Sequence, residues 1–185
     1  MTQPDPWVDA TRSTIASWRR TIDAAVAQLS DEELRRSPAP GVNSVAVILR
    51  HMGGNLRSRW TDFRETDGEK PDRDRDREFE DWPGDRASLL AHFDAGWRCL
   101  VAAVDSIGPD DLHRIILIRG ERCTVPVAVQ RSITHVSYHA GQILMVARTV
   151  HAGPWGWITI PPGQSQQHNA ATWGTPASRG VAGTP

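Results

Sequence analysis

The sequence predicts an all-α protein, a four-helix bundle with a long crossover between the second and third helices and a small β-hairpin before the fourth. Three observations predict it. Four stretches of roughly twenty residues carry apolar side chains at steps of three and four. A charged, broken segment, DGEKPDRDRDREFEDWPGD, separates the second stretch from the third. Finally, β-branched residues flank Arg119-Gly120-Glu121 just before the last stretch, the pattern of a tight hairpin.

The first helix is expected from Pro6 to Leu29, with Ile15, Trp18, Ile22, Val26 and Leu29 on one stripe. Ser30 opens SDEEL, a short capped turn with acids where a helix N-terminus favours them. SPAPG then breaks the chain, and Asn43 or Ser44 caps a second helix expected to reach Thr66. Gly53 and Gly54 lie inside it, each costing about 1 kcal/mol of helix stability relative to alanine. They mark either a tolerated kink or a close approach by another backbone or a ligand. After the solvated crossover comes a third helix, Arg86 to Ser106, with Leu89, Phe93, Trp97, Leu100 and Val104 on one stripe. The hairpin HRIILIRGERCTV precedes a fourth helix from Pro126, a residue suited to a first turn, to Val150. The expected domain spans residues 1–168, and 169–185, small and polar with Gly and Pro, reads as a disordered tail.

Composition excludes several functions. Net charge is −1, and the cations are interleaved with acids along the chain, which argues against a nucleic-acid partner. No run of eighteen apolar residues indicates a membrane span, and no secretory signal opens the chain, so a cytoplasmic location is expected. Cys99 and Cys123 have no CxxC spacing. Eight tryptophans are many for this length; Trp60, Trp155 and Trp157 are candidates for pocket walls or for plain core.

The chemistry points to His51, His135 and His139. His135 and His139 are four apart, so on a helix their rings stand one turn above the other on one face. Alone, HxxxH is a weak signal, shared by exposed histidines; Val136 follows the first histidine, so the zinc-protease motif is absent. Context strengthens it. Val136, Ile143, Leu144 and Val146 seat the helix in a core, and three imidazoles facing a bundle interior need partners that a shared metal ion supplies. Three neutral ligands and one open position is the arrangement of catalytic zinc, and zinc, nickel, iron(II) or cobalt all suit such donors. His92, His113, His151 and His168 have no such spacing and read as surface or turn residues.

Longer motifs carry a resemblance. SVAVILRHMGGNLRSRWTDFRETDGEKP, the following REFED, the hairpin IRGE, ITHVSYHAGQI and ITIPPGQSQQHN resemble an uncharacterised branch of the DinB-like (YfiT-like) superfamily. One departure is Asp72, where that pattern leads to an aromatic residue. The resemblance implies a four-helix bundle, a homodimer, and a divalent metal at His51, His135 and His139. It further implies a metal-dependent transferase or hydrolase acting on a small molecule, with water or a low-molecular-weight thiol as the activated group. A non-catalytic metal-binding or dimeric interaction module is the alternative, and no catalytic base is singled out.

Overall fold

The structure is a computed structural model that describes residues 5–173. It is mostly helical, 62%, with six α-helices and one two-stranded antiparallel hairpin among the described residues. The helices are α1 (Pro6–Val26), α2 (Asp31–Arg35), α3 (Val45–Trp60), α4 (Arg86–Asp105), α5 (Val125–Val150) and α6 (Ser165–Trp173). The strands are β1 (Ile115–Ile118) and β2 (Glu121–Thr124). The chain divides into two compact units, Met1–Gly153 and Pro154–Pro185.

In the first unit, α3 packs along α4 and α1 along α5, with further contacts of α3 on α5 and α1 on α4. Each helix starts where its sequence provides a cap. Asp5, Ser44, Asp85 and Thr124 accept from backbone N–H groups of the first turns of α1, α3, α4 and α5. The SDEEL turn is α2, closed by a full capping box in which Ser30 and Glu33 satisfy each other's backbone N–H. Leu49, Met52 and Leu56 of α3, Leu89, Phe93 and Leu100 of α4, and Val136 and Ile143 of α5 form the core. Each contributes about 1.5–3 kcal/mol by leaving water. Trp60 belongs to this core, with its Nε1 donating to Ser132 Oγ at 3.1 Å.

Gly53 and Gly54 are explained by close approach. A Cβ on Gly96 of α4 would collide with the Gly53 carbonyl oxygen, so the two backbones meet where neither residue has a side chain. A Cβ on Gly54 would strike the Glu78 carboxylate.

α3 ends at Trp60, not at Thr66. Thr61 is extended and Asp62 sits in the left-handed region at φ 46°, which turns the chain out of the helix. The crossover is more ordered than its charge pattern suggests. Asp67 accepts from the backbone N–H groups of Glu69, Arg119 and Gly120, all at 2.7 Å, tying the crossover's start to the hairpin tip. Arg119 (φ 55°) and Gly120 (φ 75°) form the two-residue turn with both φ positive that suits right-twisted strands. At the other end, Arg50 donates to the carbonyls of Glu80 (2.9 Å) and Asp81 (2.8 Å). Between these anchors a 3-10 turn, Asp76–Phe79, enters the core side of α3.

In the second unit, α6 carries the chain as helix through Trp173, into the stretch read from sequence as tail; residues 174–185 of that stretch lie outside the described residues. No helix among the described residues is long and apolar enough to cross a membrane.

Candidate metal centre

The three histidines meet. α3 and α5 run antiparallel: His51 faces His135 and His139, and nine residues on, Trp60 faces Ser132. His51 Nε2 lies 3.1 Å from His135 Nε2, which lies 3.1 Å from His139 Nε2. Donor atoms of all three fall within 4.8 Å of one another, close enough to hold one metal ion, and among the described residues no other such cluster occurs. His51 and His139 are buried and His135 is half-buried.

The hydrogen bonds at the far nitrogens decide the tautomers. His51 Nδ1 is 2.9 Å from Glu78 Oε2, and His139 Nδ1 is 2.7 Å from Gln142 Oε1. Gln142 Nε2 donates to Tyr138 Oη at 3.0 Å, so its oxygen faces the ring. Carboxylate and amide oxygens only accept, so both Nδ1 atoms donate, and a ring with no second proton turns a bare Nε2 lone pair inward. With its proton on Nε2, His135 can satisfy only one of the two lone pairs, and with its proton on Nδ1 both 3.1 Å contacts set lone pair against lone pair. A cation among the three nitrogens resolves this. A tetrahedral ion at about 2.0–2.1 Å from each would space them roughly 3.3–3.4 Å apart, close to the two 3.1 Å spacings that His135 makes, with all three donors within 4.8 Å. The residues therefore fit a divalent metal.

Electrostatics agree. Burial pushes His135 down to about 3, helped by the charges of His139, His51, Arg59 and Arg73. Burial likewise lowers His139 to about 4, against the Gln142 hydrogen bond. Both rings are thus held neutral, the form that ligates.

Glu78 comes from the crossover, where the sequence reading named no site residue. Its Oε1 accepts from Arg73 Nε at 2.8 Å and its Oε2 from Arg73 Nη2 at 2.7 Å. Burial raises this carboxyl, but the bonds from Arg73 and His51 outweigh it and hold it ionised. Phe79 stacks on the His51 ring at 4.7 Å. Both lie within REFED; the only signal in the sequence was that motif's place in the resemblance, together with a glycine at 54 that leaves room for the carboxylate.

A family model described as "Protein of unknown function (DUF1572)" matches residues 3–164. The chain belongs to the DUF1572 family. That family is part of the DinB/YfiT-like clan, so the resemblance read from the motifs holds at the level of the clan. Searches of curated proteins and of solved structures returned no match. In this DUF1572 chain His92 and His151 have partners other than the triad. His92 Nε2 bonds the Arg50 carbonyl at 3.0 Å, and His151 lies beside Glu33.

An open groove of about 670 Å³ borders the cluster, lined by Pro126, Val127, Arg131, Thr134, His135 and Tyr138 along one face of α5. His135 is therefore the ligand candidate that meets the outside.

Proposed function

We propose that this protein is a metal-dependent enzyme in which His51, His135 and His139 hold a divalent ion, zinc or nickel first and iron or cobalt otherwise. The observation that carries the reading is the convergence of three inward Nε2 atoms beside an open groove, in a cluster that among the described residues holds these three histidines alone. When bound, such an ion acts as a Lewis acid that acidifies a water or a low-molecular-weight thiol, giving hydrolase or thiol-transferase chemistry. The protein's own groups prepare the site. Glu78 keeps the proton of His51 on Nδ1, Gln142 does the same for His139, and Arg73 keeps Glu78 ionised. Leu56, Met52 and Val136 are buried, and the groove beside His135 offers a way in. The same core packing supports the four-helix bundle reading, with α1, α3, α4 and α5 as its members.

The test is metal content by elemental mass spectrometry on protein purified without a histidine tag, beside the His51→Ala/His135→Ala double variant. Near-stoichiometric metal in the parent and none in the variant is the expected result. No metal in the parent, even after incubation with zinc or nickel, would overturn the reading. The non-catalytic alternative predicts metal that stabilises the fold while the loaded protein shows neither hydrolysis nor thiol transfer.

A further inference from the structure

A second cavity, of about 500 Å³, lies between α3 and the crossover, within the size range of small-molecule sites. Arg50, Gly54, Arg57 and Thr61 line it at steps of three and four, so it runs about 16 Å along one face of α3. Its walls are fixed by buried polar groups. Ser58 Oγ donates to the Gly68 carbonyl and accepts from Lys70 N, both at 3.0 Å, and the Arg73–Glu78 pair is under a tenth exposed. Glu78 lines this cavity as well as bonding His51, but the cavity shares no lining residue with the groove on α5.

The charges that line it separate along its length. Arg73 is taken by Glu69 and Glu78, and Arg77 pairs with Asp74 at 3.3 Å. The cations left over are Arg50 and Arg57 of α3, neither of which pairs with a carboxylate among the described residues. Arg50 is held in place by the carbonyls of Glu80 and Asp81 and lies over the Trp82 ring at 5.7 Å. The acids left over are Asp62 and Asp72, which follow α3 in the chain. Asp62 lends only its backbone carbonyl, to Glu65 and Thr66. Lys70 is within electrostatic reach of both acids, but its Nζ is spent on the Asp67 carbonyl at 2.6 Å. The negative end of the α3 dipole, at Trp60, adds to the acids there. The cavity thus presents guanidinium groups along α3 and carboxylates beyond its C-terminus.

We infer that this cavity binds a small zwitterion, its carboxylate received by Arg50 and Arg57 and its ammonium by Asp62 and Asp72. A simple anion would be set against the two acids and a simple cation against the two arginines. A molecule that carries both charges, held apart, answers all four groups. The inference does not depend on the metal centre.

The probe is ε-aminocaproate, whose ammonium and carboxylate stand at the two ends of a methylene chain, titrated by calorimetry into the full chain at neutral pH and low ionic strength. Caproate and ε-aminocaproamide each keep one of its two charges. The zwitterion is expected to bind, and both counterparts to bind about tenfold more weakly or worse. Arg57→Gln and Asp62→Asn are each expected to lose about fivefold or more in affinity for the zwitterion. Arg57 is exposed, and asparagine accepts the left-handed backbone of Asp62 (φ 46°), so both variants should melt with the parent. A variant that melts lower is replaced by Arg50→Gln or Asp72→Asn, with the same loss expected. No binding by the parent, or affinity unchanged in the folded variants, would overturn the inference. Caproate binding as tightly as the zwitterion would make this a plain anion site, and ε-aminocaproamide doing so a plain cation site; either overturns it.

Discussion

Replacing Glu78 by glutamine tests how far the crossover governs the metal centre. Oε2 serves both His51 Nδ1 (2.9 Å) and Arg73 Nη2 (2.7 Å), and Oε1 serves Arg73 Nε (2.8 Å). A glutamine oxygen can take over the Oε2 position, so the His51 tautomer survives, but its amide then faces the Arg73 Nε–H donor to donor. What is lost is the negative charge that makes the His51 imidazole a stronger base. Losses of this kind cost about 10- to 100-fold in metal affinity, or roughly 1.4–2.7 kcal/mol. Both side chains of the Glu78–Arg73 pair are under a tenth exposed, so fold stability should drop too. Glu69 still answers Arg73, which keeps the loss near the lower end of the roughly 3–5 kcal/mol seen when a buried pair is broken. Zinc affinity is read by competition with a colorimetric chelator at neutral pH, and stability by urea denaturation of the metal-free protein. Glu69→Gln is the control, since it also strips a partner from Arg73 without touching His51, and its zinc affinity should stay within about threefold of the parent. A Glu78→Gln protein that folds and binds zinc within twofold of the parent would refute the reasoning.

Acid should weaken the metal-free fold in a defined window. His135 and His139 have folded values of about 3 and about 4, below the ordinary 6.5. The unfolded chain therefore takes up protons that the fold refuses. Stability is flat above about 6.5 and falls as pH drops toward 4; a lower urea midpoint at pH 5 than at 7.5 is expected, with the difference reduced in His135→Gln/His139→Gln. Gly96→Ala should cost about 1–3 kcal/mol or more in chemical denaturation, because its Cβ meets the rigid Gly53 carbonyl. Gly141→Ala, in α5 with open space around the added Cβ, should instead gain roughly 0.4–1 kcal/mol; equal effects at the two positions would contradict the packing described. Ser30→Ala should cost about 1 kcal/mol by opening the capping box of α2, measured the same way.

Much of this was legible in the sequence because it is written in short-range periodicities. The 3.6-residue stripes located the four long helices, the Arg-Gly step fixed the hairpin turn, and the spacing of His135 and His139 put two imidazoles on one face. His51 needed only the further assumption that its helix packs beside theirs. Glu78 was not legible. It stands in a run where acids and bases alternate over almost twenty residues, and no period distinguishes the one carboxylate that turns inward; its selection depends on the space above Gly54 and on Arg73, both tertiary facts. The early end of α3 was missed for a different reason. Thr61 to Thr66 is a plausible helical continuation, and the left-handed Asp62 that ends it reflects the anchoring of the crossover on the hairpin. The α6 helix escaped because SQQHNAATW has almost no amphipathic signal.

The three imidazoles are not equivalent, and the difference lies behind them. His51 leans on a carboxylate, His139 on a neutral amide, and His135 on no group among the described residues. Donor strength toward a shared cation should follow that order. His135 would then be the weakest donor and the one to release first, and it is also the residue lining the groove. Coordination at this site would have a built-in direction: two firm anchors on the core side and one labile bond on the open side, where an incoming molecule can compete for the vacated position without the ion leaving the protein.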